Sequence, residues 1–152
     1  MKQHYPLVVV GSGFSGLCAA IKLKESGRED FVVLERSNDV GGTWRDNTYP
    51  GAACDVPSHV YSFSFAPNPT WTRSFSPQQE IQAYLQRIAR ERDVQRHVVF
   101  GAELASATWV PERQHWALST TAGDLTTDVL ITGTGALSDP TTPDIPGLST
   151  FA

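Results

Sequence analysis

The sequence has little of what marks metal, membrane or nucleic-acid chemistry. Its 152 residues hold two cysteines, Cys18 and Cys54, whose separation matches no metal-ligand spacing. They read as reduced thiols of a cytoplasmic protein. Long apolar runs are missing too. The N-terminal MKQHYPLVVV has one lysine and four consecutive apolar residues before the first glycine. That is too short for a signal-peptide core or a membrane span. No Lys/Arg block exceeds two residues and the net charge is −4, which argues against a nucleic-acid partner or an anionic membrane surface. None of the four histidines stands in a recognisable nucleophilic arrangement, so none is expected to be catalytic. There is no internal repeat and no low-complexity tract.

What is present is a globular composition, 40% hydrophobic and 18% charged, at a length that suits one domain. Leu7-Val8-Val9-Val10 is a β-branched run fit for a strand buried on both faces. Glycines follow at once. Phe14, Leu17, Cys18 and Ile21 then recur at helical spacing, with Gly27 placed to cap the helix. Phe31-Val32-Val33-Leu34 is a second buried strand, ending at Glu35. Strand, helix and strand within about thirty residues predict a right-handed parallel βαβ unit.

Residues 36–75 carry many Gly, Pro and aromatic residues and no long periodic segment. A loop of that length in a compact domain is usually functional or disordered, and its aromatic content speaks against disorder. Ser76, Pro77 and Gln79 read as N-cap, first helical residue and capping-box partner of a helix running through Ile81, Tyr84, Leu85 and Ile88 to about Arg92. His97–Phe100 reads as a third strand. Leu104–Val110, His115–Thr120 and Leu125–Ile131 read as a small antiparallel meander. The fold class is therefore α/β: a Rossmann-like domain with a parallel sheet, a crossover helix and a β-meander.

Gly11, Gly13 and Gly16 stand in the spacing G-x-G-x-x-G, after a strand and at the start of a helix, and Glu35 follows Gly16 by nineteen residues. This context marks a dinucleotide site. Gly11 permits the tight turn, Gly13 lets backbone approach a pyrophosphate, and Gly16 lets helix and strand pack closely. Phe14 and Ser15 open the helix whose N-terminus favours the anion. Glu35 is placed to accept from the ribose hydroxyls, and its charge disfavours a 2′-phosphate. The motif alone does not separate FAD from NAD.

The stretch "ERSNDVGGTWRDNTYPGAACDVPSHVYSFSF" resembles the N-terminal FAD domain of class B flavoprotein monooxygenases, above all the Baeyer–Villiger and flavin-containing monooxygenases. The similarity runs over residues 5–152 and includes "GALSDP" near the end. Gly133 departs from it, standing where the family usually has Ala, a change that bears on local backbone rigidity. The resemblance implies FAD as cofactor, held by Gly11, Gly13, Phe14, Ser15, Gly16, Glu35, Arg36, Gly42, Thr43, Trp44, Asp55, Val56, Tyr61 and the backbone of Leu104. It gives Asp55 a catalytic role, pairing with an active-site arginine. Flanked by Cys54 and Val56, Asp55 is expected to be buried and in need of such a partner. Tyr61 and Trp44 also read as plain structural aromatics, Asp55 as a turn former, and Cys54 as a small packing residue.

By the same resemblance, the complete enzyme would use NADPH and O₂ to oxygenate a small-molecule substrate, a ketone or a soft nucleophile. Residues 1–152 would be the N-terminal part of the FAD-binding domain. No second G-x-G-x-x-G for an NADPH-binding domain is found in the sequence, and Pro146–Ala152 match the approach to a family fingerprint that the chain does not complete. The chain is expected to be inactive alone, with the aromatics of the 36–75 loop short of packing partners and the loop poorly ordered. Two alternatives stay open: a stand-alone FAD-binding module or inert remnant, and an N- or S-oxygenating flavoprotein.

Overall fold

The computed structural model describes residues 1–138 and 140–150. Six strands form one mixed sheet: β1 (His4–Val10), β2 (Phe31–Glu35), β3 (Val98–Phe100), β4 (Leu104–Val110), β5 (His115–Thr120) and β6 (Leu125–Thr132), in the order β3-β2-β1-β6-β5-β4. The helices are α1 (Phe14–Glu25), the single turn α2 (Thr43–Asp46) and α3 (Gln78–Glu91). β1 pairs in parallel with both β2 and β6, and β2 with β3. The meander is antiparallel, as expected, but it is no separate layer, because β6 carries it into the parallel sheet.

Strand alternation sorts the core. Leu7, Val9, Phe31 and Val33 face α1 and α3, packing against Leu17, Ala20 and Ile21 of the first and Tyr84, Leu85, Ile88 and Ala89 of the second. Val8, Val10, Val32 and Leu34 face the other way, against Ala102, Leu118 and Leu125. Both faces of β1 and β2 are thus covered, which is why these strands read as unbroken apolar runs. Gly27 does end α1. At φ +79° it lets Arg28 N–H reach Leu23 O at 3.0 Å and its own N–H reach Lys24 O at 2.9 Å, the two bonds of a Schellman cap.

The start of α3 differs from expectation. Pro77, not Ser76, is the N-cap residue, and no side chain caps the helix. Ala53 bridges Pro77 in a short β-contact, which holds residues 76–77 extended one position longer. Ser76 turns inward, fully buried, and its hydroxyl donates to Ser58 Oγ at 2.8 Å. The third strand also starts one residue late, because His97 closes a 3-10 turn, Gln95–His97, and stacks on Phe31 with ring centroids 4.1 Å apart.

The expected shortage of partners in the 36–75 loop is corrected as well. Phe63 is buried and lies 5.1 Å from the Phe14 ring, 5.0 Å from Phe65 and 5.9 Å from Tyr84. Tyr84 accepts from Phe63 N–H and donates to Ala66 O, each at 2.8 Å. The rings pack on α1 and α3, within the chain itself. Among the described residues, no helix is long and apolar enough to cross a membrane.

Candidate functional site: a dinucleotide cleft

The carboxyl ends of β1, β2 and β6 converge on one cleft of about 700 Å³. β1 has β2 on one side and β6 on the other, so the cleft lies where the strand order changes direction, the usual ligand position in an open α/β sheet. Of the residues singled out by sequence, Gly11, Gly13, Phe14, Ser15, Glu35, Arg36, Gly42, Thr43, Trp44, Tyr61 and Leu104 line it. Gly16 lies just behind the wall.

Three glycines let the cradle close. A Cβ on Gly16 would fall 1.8 Å from Gly11 O, one on Gly11 (φ +91°) 2.6 Å from Gly133 O, and one on Gly133 2.9 Å from Gly16 N. The turn after β1, the start of α1 and the end of β6 therefore touch backbone to backbone. Gly133, the departure from the family's Ala, belongs to this contact. A Cβ on Gly13 would meet Gly42 Cα at 3.7 Å, so Gly13 also seats the Gly41–Gly42 turn, whose Gly41 N–H donates to Ser12 O at 2.9 Å. No side chain caps α1 and no acid lies in its first turn. Its N–H groups and dipole face the cleft unopposed, as an anion site requires.

Glu35 closes the far side, 3% exposed. Its Oε2 accepts from Ser12 N–H at 2.9 Å and Ser12 O–H at 2.6 Å, and its Oε1 from Ser37 N–H at 3.0 Å. Arg45 Nη1 lies 3.0 Å from Oε1. Burial alone would raise the Glu35 pKa, but the Ser12 hydroxyl, the two N–H groups and the Arg45 charge outweigh it and hold the carboxyl below the ordinary glutamate range. A folded value below the unfolded one means that Glu35 contributes its stability above about pH 4.5 and loses it as pH falls through the folded value. Thermal melts of the wild type are therefore expected to drop steeply below pH 4.5, and those of Glu35→Gln to be flatter there. Equal slopes would remove Glu35 from the acid response.

α2 hangs Trp44 over the aromatic group. Its Nε1–H donates to the Tyr61 hydroxyl at 3.0 Å, and the Tyr61 ring meets Phe14 edge-on at 5.3 Å. Burial pushes the Tyr61 phenol up; the Trp44 bond opposes this, and Cys54 and Asp55 add to it. Arg36 Nη2–H donates to Ser138 O at 2.7 Å, tying the segment after β6 to the end of β2.

Asp55 and Val56 are not brought to the cleft wall. The expectation that Asp55 is buried is corrected: it is exposed. Residues 52–55 alternate, with Ala52 and Cys54 inward and Ala53 and Asp55 outward, because Ala53 is held extended by its bridge to Pro77. Cys54 is the packing residue, its Sγ 3.1 Å from Val56 O. Sequence reasoning gave no cofactor role to Ser12, Gly41, Arg45, Asp46, Ala102, Glu103, Gly133, Thr134, Gly135, Leu137 and Ser138, all of which line the cleft. Glycines directly after a strand parallel to β1 could have pointed to Gly133 and Gly135. For Arg45 no local signal exists.

Residues 9–87 match the family model described as NAD(P)-binding Rossmann-like domain. The chain belongs to the NAD(P)-binding Rossmann-like family. The chain is 55% identical over 149 residues to a Baeyer-Villiger monooxygenase of Streptomyces coelicolor, a match covering 98% of this chain and 29% of that relative. It is 43% identical to a Baeyer-Villiger monooxygenase of Pseudomonas aeruginosa, over 98% of this chain and 28% of the relative. Cyclohexanone monooxygenase from Rhodococcus sp. Phi1 bound to NADP+ superposes with a TM-score of 0.89 at 35% identity, covering 99% of this chain and 29% of that one. A solved complex of OTEMO with FAD and NADP superposes at 0.88 and 31% identity, over 99% of this chain and 29% of that one. The chain thus spans about 29% of the length of these relatives.

Proposed function

We propose that the cleft binds the ADP half of FAD, and that residues 1–152 are an FAD-binding portion of an NADPH- and O₂-dependent monooxygenase of the Baeyer–Villiger type. One observation carries this: an uncapped helix N-terminus and a buried, ionised acid at a strand end open onto the same cleft. The first suits a pyrophosphate and the second a ribose diol. The relatives' printed names, Baeyer-Villiger monooxygenase and FAD-binding monooxygenase, support the chemistry.

The residues fit the group. The N–H groups at the start of α1 would hold the pyrophosphate, with Gly13 bringing backbone close. Glu35 would accept from the ribose, and Arg36 and the Leu104 backbone would border the adenine. Gly42, Thr43, Trp44 and Tyr61 would wall the path onward, with Trp44 and Tyr61 excluding water. FAD, when bound, supplies a hydride acceptor and an oxygen-activating ring. Val56 and Asp55 lie outside this wall, and the arginine proposed to pair with Asp55 would belong to a longer chain. A ketone or soft nucleophile is the proposed substrate class. A cytoplasmic location fits the two cysteines, and the net negative charge speaks against nucleic acid.

The purified chain is expected to bind ADP and to quench FAD fluorescence. Reconstituted with FAD and given NADPH with a ketone or sulfide, it should consume NADPH slowly and release hydrogen peroxide without oxygenated product. Orientation of nicotinamide against the ring can supply roughly 7–11 kcal/mol of the barrier, and the described cleft holds a single dinucleotide fingerprint. Product formed in step with NADPH loss would overturn the inactivity; absence of ADP and FAD binding would overturn the cleft.

A further inference from the structure

Arg45 lines the cleft and makes contacts that the ADP reading does not yet use. Its Nη1 lies 3.0 Å from Glu35 Oε1 and donates to Asp39 O at 2.7 Å. Its Nε and Nη2 donate to the Asp46 carboxylate at 2.7 and 3.0 Å. The side chain is 13% exposed and that of Glu35 4%.

A carboxylate has about four lone-pair positions. Glu35 already faces four protein donors: Ser12 N–H, Ser12 O–H, Ser37 N–H and Arg45. A ribose diol brings two more, so two protein donors must yield. The Ser12 and Ser37 N–H groups are fixed by the backbone. The Ser12 hydroxyl can rotate, and Arg45 can let go without leaving its guanidinium unpaired, because Asp39 O and Asp46 still hold it. Before a ligand binds, the same contact spares Glu35 the cost of a buried charge short of a partner.

We propose that Arg45 is a displaceable stand-in for the ribose diol: it satisfies Glu35 in the unliganded protein and competes with the ligand for Oε1. This rests on the reading of the cleft as an ADP site. Arg45 is thus a positioning residue whose removal acts in opposite directions on stability and on affinity. A merely structural arginine, or one that touches the ligand, would lower both.

The test pairs thermal melts of the ligand-free protein with calorimetric titration of ADP. Arg45→Met is expected to melt a few degrees lower (~1 kcal/mol shifts a domain of this size by about 2–4 °C), yet to bind ADP roughly threefold to tenfold more tightly. Arg45→Lys keeps a charge for Asp46 without the planar fork and should shift affinity the same way by less. If Arg45→Met does not fold, the Lys variant decides: tighter binding supports the stand-in, and equal or weaker binding overturns it. Equal or weaker ADP binding by a folded Arg45→Met overturns it likewise. Failure of the wild type itself to bind ADP would instead overturn the reading of the cleft.

Discussion

Gly16→Ala is expected to cost about 3 kcal/mol and to abolish ADP binding, whereas Gly27→Ala should cost about 1 kcal/mol and leave binding intact. The two glycines differ in what surrounds them. At Gly16 a methyl group would sit 1.8 Å from Gly11 O and 2.8 Å from Gly11 C. That obstacle is backbone, so relief means pushing α1 off the β1 turn. The same displacement moves the N–H groups that would face the pyrophosphate, so stability and binding fall together. At Gly27 nothing lies within 4 Å, and the only penalty is the left-handed φ of +79°. Gly133→Ala falls between them, at 2.9 Å from Gly16 N and 3.1 Å from Val10 O. Against a total stability of roughly 5–15 kcal/mol for a domain, only Gly16→Ala threatens the fold. Circular dichroism melts give the order, and titration with ADP gives the binding. A Gly16→Ala protein that melts within a degree of Gly27→Ala would show that the crowding at the turn is relieved without displacing the helix.

The parallel half of the sheet was legible because its strands are buried on both faces. Leu7–Val10 and Phe31–Leu34 are continuous apolar runs, and the glycines between them take their meaning from the strand before and the helix after. The meander was legible as three strands but not as part of the same sheet. Pairing β6 to β1 joins residues about 120 positions apart, and no local pattern encodes that. Ser76 misled for the opposite reason: a good local cap signal was overridden by a tertiary contact, the bridge between Ala53 and Pro77. Asp55 misled because apolar neighbours in sequence do not mean apolar surroundings when the segment is extended and its side chains alternate. Arg45 was silent because Glu35 and Asp39 meet it only once the Gly41–Gly42 turn is folded against Gly13. The acid that the fingerprint identifies was thus visible in sequence, and the cation that balances it was not.

That balance sets the size of the second large effect. Glu35→Ala is expected to weaken ADP binding roughly tenfold to a hundredfold at ~1.4 kcal/mol per decade. Hydrogen bonds to a charged group contribute about 1.5–3 kcal/mol each, and two to a ribose diol would exceed this range if they were simply added. They are not, because Ser12 O–H and Arg45 already engage the carboxylate and must be displaced. Water entering the space left by the missing side chain recovers part of the remainder. The variant should also be less stable, since Ser12, Ser37 and Arg45 lose a common acceptor, so the titration belongs well below its melting point. A change under twofold in folded protein would place the ribose away from Glu35. Arg45 adds a cross-check through a double-mutant cycle. With Glu35 removed there is nothing to compete for, so Arg45→Met should tighten ADP binding in the wild-type background and leave it unchanged in Glu35→Ala. Equal tightening in both backgrounds would mean that Arg45 does not act through the acid, and would overturn the competition for Oε1.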